Sequence, residues 1–156
     1  MAWKWCEMCS QSFGDTQPTE RSLHTTCDVC LRWRRMMHRR LRCELEFFDG
    51  VGQFVYAWVE LAHEPNPNQP DQGYVREYAR LLDEGTIFYI GRGGRKRLTD
   101  TKDRNPYAVD RRTKLSEYRS FGFQLLGGGN ATTAKDLEEN SIQLFDPLYN
   151  LQWWNQ

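Results

Sequence analysis

The stretch GTIFYIGRGGRKRL, residues 85–98, decides how the rest of the chain is arranged. Residues 86–90 form a short β-branched and aromatic run, which predicts a strand. We expect the strand to stop at Gly91, where the first of three glycines lets the backbone turn tightly and leaves it bare. Four side chains add positive charge, so the turn suits a phosphate, although a solvated surface turn is the alternative. They are Arg92, Arg95, Lys96 and Arg97.

Composition limits the class of protein. The 156 residues, 39% of them hydrophobic, suffice for one modest core and a small satellite module. The formal net charge is zero, but residues 31–42 hold six arginines and no acid, and residues 92–119 hold ten basic against four acidic residues. Two basic zones fit a polyanion contacted from two places, although solvated helix faces also explain arginines.

The sequence predicts an intracellular protein that is neither secreted nor bound to a membrane. Its apolar runs are too short to span a bilayer. The N-terminal residues MAWKWCEMC lack the apolar segment of a signal peptide.

Two Cys-x-x-Cys pairs predict a structural zinc site. Cys6 pairs with Cys9 and Cys27 pairs with Cys30, at a separation usual for four-cysteine zinc sites. Two disulfides are disfavoured in a reducing compartment, and a redox dithiol would need only one pair. The leftover Cys43 is expected to be a small buried side chain. Two spare candidate ligands, which a four-cysteine site does not need, are His24 and His38.

The second cysteine pair opens into a predicted helix. Four apolar residues at every fourth position form its stripe: Trp33, Met37, Leu41 and Leu45. A cysteine pair that runs into a helix resembles a treble-clef zinc finger, so we expect a first domain at residues 1–46 that depends on metal for its stability. Arginines off the stripe are expected to lie along a nucleic-acid backbone, with a protein-binding finger as the alternative. They include Arg34, Arg35 and Arg39.

A second domain, residues 47–156, is predicted to be α+β, with a small, three-stranded, mainly antiparallel sheet flanked by helices. Residues 53–61 alternate and are rich in Val, Tyr, Phe and Trp, so they predict the first strand. Residues 63–73 contain three prolines and predict an exposed loop, and residues 74–82 have helical apolar spacing. Residues 118–126 alternate again and predict the third strand, ended by the glycines that follow.

The last predicted helix carries an acidic residue on its apolar face. Thr133 and Asp136 form a capping box at its start, and Pro147 stops it. Glu138 lies on the core-facing stripe, whereas Glu139 points away. A glutamate there is costly unless it is paired, protonated or bound to a cation, although one at the edge of the stripe can reach solvent.

Three patterns resemble the GIY-YIG nuclease family over residues 53–150. FVY at residues 54–56 takes the place of the first motif, with Phe and Val where the family has Gly and Ile, and YIG at residues 89–91 matches the second. FYIGRGGRKR is similar to the branch that writes FYVGKGxxxR, with Arg97 at the family's arginine and Arg92 where a lysine is usual. LEENSIQLFDPLYN resembles the closing pattern, with Glu138 at the family's glutamate.

The resemblance implies a metal-dependent endonuclease that hydrolyses phosphodiester bonds in duplex or branched DNA. It implies that Glu138 binds one Mg²⁺ or Mn²⁺ and that Arg97 contacts the phosphate or orients the attacking water. Tyr56 and Tyr89 would handle the proton of the nucleophile, and Asn150 would support the glutamate or the phosphate. The expected substrate-binding turn contains Gly91, Arg92, Gly93 and Lys96.

A non-catalytic protein is the alternative. In that case the zinc finger and a decayed nuclease fold would together bind nucleic acid or another protein. Retention of both tyrosines, Arg97, Glu138 and Asn150 disfavours it, because binding alone does not need a carboxylate beside a phosphate.

Overall fold

A computed structural model describes residues 2–15, 26–48, 50–98, 100–101 and 104–150, with residues 2–5 and 12–15 described by their backbone. It confirms the predicted α+β class. None of the described helices combines the length and apolar character that crossing a membrane requires. The elements are β1 (Ala2–Trp5), β2 (Ser12–Asp15), α1 (Asp28–Glu46), β3 (Gln53–Glu60), α2 (Asp71–Glu84), β4 (Thr86–Gly93), α3 (Pro106–Glu117), β5 (Phe121–Gly129) and α4 (Ala131–Phe145), with single 3-10 turns at Arg95–Arg97 and Leu148–Asn150.

The main sheet has the strand order β4-β3-β5, and both pairings are antiparallel. Its central strand is buried from residue 54 to residue 59, so both faces of the sheet are covered. On one face, Tyr78 and Leu82 of α2 lie so close to Gly122 of β5 that a Cβ there would meet both side chains at 2.7 Å. Strand β3, which the sequence pattern of residues 53–61 predicts, is therefore buried on both faces.

Helix α1 packs into the same core as the sheet. The stripe predicted from the sequence is confirmed, since Trp33, Met37, Leu41 and Leu45 are all buried. These four residues belong to one hydrophobic cluster with the central strand β3. The cysteine-bearing segment is thus tied to the sheet through the apolar face of α1, while a boundary at residue 46 stays a prediction.

Two predictions concern the side chains of Cys43 and His24. Cys43 is exposed, so its prediction as a buried side chain is wrong. It lies two residues from Leu41 and Leu45 on the helix, which places it away from the stripe that faces the core. The candidate ligand His24 lies outside the described residues.

Glycines do not end the strands where the sequence predicts. Strand β4 continues past Gly91 to Gly93, because Gly91 pairs with Tyr56 and Gly93 pairs with Phe54 on β3. Strand β5 likewise continues to Gly129 rather than ending at the glycines. Because glycine has no side chain, these strands remain in the sheet while side chains of other residues pack directly against their backbone.

The start of α4 also differs from its prediction. The Asn130 side chain caps the helix by accepting a hydrogen bond from the backbone N–H of Thr133 at 2.8 Å. The predicted capping box of Thr133 and Asp136 is therefore wrong. Asn is a stronger N-cap residue than Thr, and Asn130 lies three positions earlier, so the helix begins at Ala131.

We predict that Gly91→Ala destabilises the fold and that Gly94→Ala does not. A Cβ at Gly91 would lie 2.6 Å from Cζ of the Tyr56 ring, whereas the nearest atom to a Cβ at Gly94 is 3.7 Å away. Overpacking of this kind costs about 1–3 kcal/mol of unfolding free energy. Urea denaturation measures the difference, and equal midpoints for the two variants would contradict the close packing of Tyr56 on Gly91.

Candidate functional site

The N-terminal hairpin and the start of α1 bring four cysteines together. Cys6 and Cys9 lie in the connection between β1 and β2, Cys27 is the N-cap of α1, and Cys30 lies in its first turn. The four Sγ atoms lie within 4.8 Å of one another, and those of Cys9 and Cys27 are 3.8 Å apart. Thiolates around a tetrahedral zinc with 2.3 Å bonds lie about 3.8 Å apart. The cluster therefore has the geometry of a metal site such as a zinc site.

Backbone donors favour a thiolate at one corner of this cluster. The N–H groups of Cys27 and Met8 donate to Cys6 Sγ at 3.3 and 3.4 Å. Burial opposes ionisation, but these hydrogen bonds lower the pKa of Cys6 to about 6. Burial raises the pKa of Cys27 and of Cys30, and the Cys9 thiol adds to the rise in both, whereas the hydrogen bond from Arg119 opposes it at Cys30. A divalent cation at the centre would remove that penalty, because it is bound by the deprotonated thiols.

Arg119 connects the cysteine cluster to the rest of the fold. It lies in the turn between α3 and β5 with φ at +53°, a backbone conformation that non-glycine residues rarely adopt. Its Nη1 donates to Cys30 Sγ at 3.2 Å and its Nε to Glu64 Oε2 at 2.5 Å. Sequence reasoning missed this contact, because it joins residues that are 89 positions apart.

The motif tyrosines lie on one face of the main sheet. Tyr56 is paired with Gly91, and Trp58, two residues further along β3, is paired with Tyr89. Because side chains two residues apart share a face, Tyr56 and Tyr89 are diagonal neighbours. The Tyr89 and Trp58 ring centroids are 4.6 Å apart. The structure thus brings together the two tyrosines that the family resemblance singles out.

Glu138 of α4 lies beside this pair. Its carboxylate Oε1 is 3.6 Å from Nε of Arg92 on β4, and its side chain is 22% exposed. Burial raises the pKa of Glu138, while the charges of Arg92 and Arg104 oppose the shift. Burial is the main cause that raises the pKa of Tyr56 and of Tyr89, and the negative charge of Glu138 adds to it. As predicted, Glu138 is partly buried and Glu139 is exposed.

Arg97 closes the site on the side of the glycine-rich turn. Its aliphatic stem packs over Gly93, where a Cβ would lie 2.6 Å from the Cβ of Arg97. Its charge lowers the pKa of Tyr56 and of Tyr89, against the larger effect of burial. Gly93 is therefore needed for the position of the Arg97 stem.

Two further arginines lie at this site that the sequence did not predict. The Arg104 guanidinium is 5.2 Å from the centroid of the Tyr56 ring, and its Nη2 donates to the Arg97 carbonyl at 3.1 Å. Arg112 of α3 stacks near three aromatic rings, and burial lowers its pKa to about 10. The only signal for either residue was the basic composition of residues 92–119. The rings around Arg112 are those of Trp58, Phe121 and Phe123.

The side-chain amide of Asn150 forms hydrogen bonds with the backbone of β4 through both its oxygen and its nitrogen. The Ile90 N–H donates to Asn150 Oδ1 at 2.6 Å, and Asn150 Nδ2 donates to the Ile90 carbonyl at 2.8 Å. Strand β4 is at the edge of the sheet, so the asparagine satisfies peptide groups that the edge would leave unpaired. Its visible role is to hold the C-terminal turn against β4, and support of Glu138 or a phosphate stays a prediction.

The remaining predicted binding residues lie apart from Glu138. Lys96 is exposed on its 3-10 turn, and Arg35 and Arg39 are exposed on α1. Arg34 is 3.5 Å from the carboxylate of Glu7, beside the cysteine cluster. Within the part of the chain that the structure describes, no contact joins these α1 arginines to Glu138.

Comparison with known protein families, with curated proteins and with solved structures finds no match to this chain.

We predict that Arg119→Gln weakens zinc binding by roughly 10- to 100-fold, the usual effect of removing a group that supports a metal ligand. The guanidinium donates to Cys30 Sγ, and its loss leaves that thiolate without this positive partner. Competition with a coloured chelator measures the affinity. The control is Arg80→Gln, which removes an exposed pair with Glu84 on α2. Equal zinc affinity in both variants would contradict a role for Arg119 at the metal.

Proposed function

We propose that this protein is a metal-dependent DNA endonuclease with a GIY-YIG-type site and an N-terminal zinc finger that aids DNA binding. One observation carries the proposal: a half-buried carboxylate and two arginines act electrostatically on two tyrosines that share one face of the sheet. Glu138 and Arg92 are in contact, and the charge of Glu138 reaches both motif tyrosines. Hydrolysis of a phosphodiester needs these groups, namely a charge clamp for the phosphate and a proton acceptor for water.

The arginines suit the phosphate of a nucleic acid. Arg92 lies between Gly91 and Gly93 at the end of β4, and Arg97 lies on the turn that follows, with its stem over Gly93. A guanidinium can donate two parallel hydrogen bonds to a phosphate, and it stays charged at all physiological pH values. Arg92 now neutralises Glu138. A bound phosphate would compete for the same guanidinium and release the carboxylate.

The released carboxylate of Glu138 fits an Mg²⁺ or Mn²⁺ ion. Burial of its side chain disfavours an uncompensated negative charge, and a cation removes that cost. Among the described residues, the one cluster of three or more acidic, cysteine or histidine ligands is the four cysteines. A single carboxylate suits an ion that keeps several waters and takes phosphate oxygens as ligands. When bound, such an ion would neutralise charge that develops on the phosphate and the leaving oxygen.

The other residues of the chain supply binding and proton transfer. Arg97 would contact the phosphate, and a motif tyrosine would accept the proton of the attacking water. The exposed arginines of α1, among them Arg35 and Arg39, would contact the DNA backbone and raise affinity without reading sequence. Free cysteines in a zinc-type cluster also favour an intracellular site of action.

The competing proposal is a binding protein without catalysis. The observation in its favour is the ion pair itself, since Arg92 already balances the charge of Glu138. A protein of this kind would bind DNA through α1 and the glycine-rich turn and would leave phosphodiester bonds intact.

We predict Mg²⁺-dependent cleavage of DNA that Glu138→Gln reduces by at least about 10²-fold, the size of effect expected for one transition-state contact. The purified protein is tested on supercoiled, linear, single-stranded and branched DNA, which also identifies the preferred substrate. The matched control is Glu139→Gln, which removes an exposed carboxylate from the next position of the same helix.

DNA affinity, measured by fluorescence anisotropy, separates catalysis from binding. We expect Glu138→Gln to bind DNA within a few-fold of the unsubstituted protein, because it removes a negative charge and no phosphate contact. Cleavage by Glu138→Gln at the unsubstituted rate would contradict the proposed site. Binding without cleavage by the unsubstituted protein would favour the non-catalytic alternative.

A further inference from the structure

The segment between β3 and α2, residues 61–70, is held against the N-terminal half of α1. Arg32 of α1 donates from Nη1 to the Pro67 carbonyl at 2.7 Å and from Nη2 to the Gln69 carbonyl at 2.6 Å. The carbon of the same guanidinium lies 4.3 Å from the centroid of the Tyr74 ring, in the first turn of α2. Although many of its side chains are exposed, this β3–α2 segment is therefore fixed to a helix.

The first half of the β3–α2 segment is tied to the cysteine cluster through Arg119. Arg119 Nε donates to Glu64 Oε2 at 2.5 Å, while its Nη1 donates to Cys30 Sγ at 3.2 Å. The Arg119 side chain is 12% exposed, so its charge depends on protein acceptors more than on water. A guanidinium carries five N–H donors in a planar fork, which lets one side chain serve a carboxylate and a sulfur at the same time.

The backbone at Arg119 has a conformation that favours glycine. Its φ is +53°, and the turn is closed by hydrogen bonds from the Arg119 N–H to the Ser116 carbonyl at 3.1 Å and from the Ser120 N–H to the Leu115 carbonyl at 2.9 Å. The Ser120 carbonyl in turn accepts from the N–H of Leu61 at 2.9 Å, at the start of the β3–α2 segment. Glycine would fit this turn without strain, so the strain is offset by the contacts that the arginine side chain makes.

Both arginine contacts with the segment lie next to expected metal ligands. Arg32 follows Cys30 by two residues on α1, and Arg119 contacts Cys30 itself. A metal bound by the four cysteines would fix the first turn of α1, because Cys27 is its N-cap and Cys30 lies within it. It would also keep the Cys30 sulfur as a negatively charged acceptor for Arg119. Metal binding would therefore strengthen both contacts.

We propose that Arg119 and Glu64 are positioning residues of the cysteine metal centre, through which a bound metal holds the β3–α2 segment closed on α1. Arg119 orients the Cys30 sulfur, and Glu64 orients Arg119 through a different nitrogen of its guanidinium. Supporting contacts of this kind fix the ligands of a metal and change its affinity. The coupling is reciprocal, so a loosened segment weakens metal binding by the same factor by which metal loss loosens the segment. This role rests on metal binding by the cysteines and not on cleavage of DNA.

Hydrogen exchange followed by mass spectrometry tests the hold on the segment. With saturating zinc, Arg119→Gln should raise the exchange rate of residues 61–66 by about tenfold, because a charged hydrogen bond to Glu64 is lost. Residues 74–82 of α2 should exchange as in the unsubstituted protein, which shows that the variant is folded. The control Arg80→Gln removes an exposed pair with Glu84 and should change neither region. Unchanged exchange of residues 61–66 in Arg119→Gln would overturn the proposal.

The zinc affinity of Glu64→Gln, measured by competition with a coloured chelator, tests the coupling. This change removes a negative charge near four sulfur ligands, so charge alone would leave zinc binding unchanged or make it tighter. Positioning predicts the opposite, a weakening of roughly tenfold, which is the lower end of the usual effect of removing a group that supports a metal ligand. The control Glu84→Gln removes an exposed carboxylate from α2 and should leave the affinity unchanged.

Equal or tighter zinc binding by Glu64→Gln would overturn the coupling. Neither measurement uses DNA, so both results are independent of whether the protein cleaves DNA.

Discussion

The register between β3 and β4 is the constraint on which the candidate site depends. Tyr56 lies opposite Gly91 and Trp58 opposite Tyr89, and a slip of one residue between the strands would put the two tyrosines on opposite faces of the sheet. The absent side chain at Gly91 admits the Tyr56 ring, and the aromatic contact of Tyr89 with Trp58 supports the same alignment. Asn150 then satisfies the Ile90 peptide at the outer edge of β4.

Charge is organised around this pair of strands. Helix α4 brings Glu138 to Arg92, and the segment before α3 brings Arg104 over Tyr56. An arginine near the end of β4 therefore meets an acidic residue from much later in the chain. The cysteine cluster is joined to the same body through the apolar face of α1 and through the hydrogen bond from Arg119 to Cys30. Metal binding at the cysteines would accordingly stabilise the packing of α1 on the sheet as well as the hairpin itself.

Much of this arrangement could be predicted from local patterns in the sequence. Periodicity identified the buried stripe of α1, the alternation of β3 and the inward position of Glu138, since each depends on neighbouring residues. Cysteine spacing identified the cluster for the same reason. The predicted strand ends were wrong where glycine was taken to end a strand. At Gly91 the missing side chain instead leaves room for the Tyr56 ring of the neighbouring strand.

Local sequence patterns could not predict contacts between residues that lie far apart in the chain. Arg104 and Arg119 are surface-type residues in polar segments, and their sites follow from how α3 and its flanking turns cross the sheet. Cys43 was wrongly expected to be buried, because amino-acid type was given more weight than its position off the helix stripe. Residue type predicts burial on average, whereas position on an element decides it in each case.

Whether Glu138 binds a cation together with DNA is tested most directly by paramagnetic resonance of Mn²⁺ titrated into the protein with a duplex oligonucleotide. With the unsubstituted protein, about one Mn²⁺ per chain should be bound at this site, as expected for an ion shared between a carboxylate and phosphate oxygens. Glu138→Gln should weaken that binding by at least about tenfold, and Glu139→Gln should leave it unchanged. Equal Mn²⁺ binding by the unsubstituted and Glu138→Gln proteins would contradict a cation site at this carboxylate.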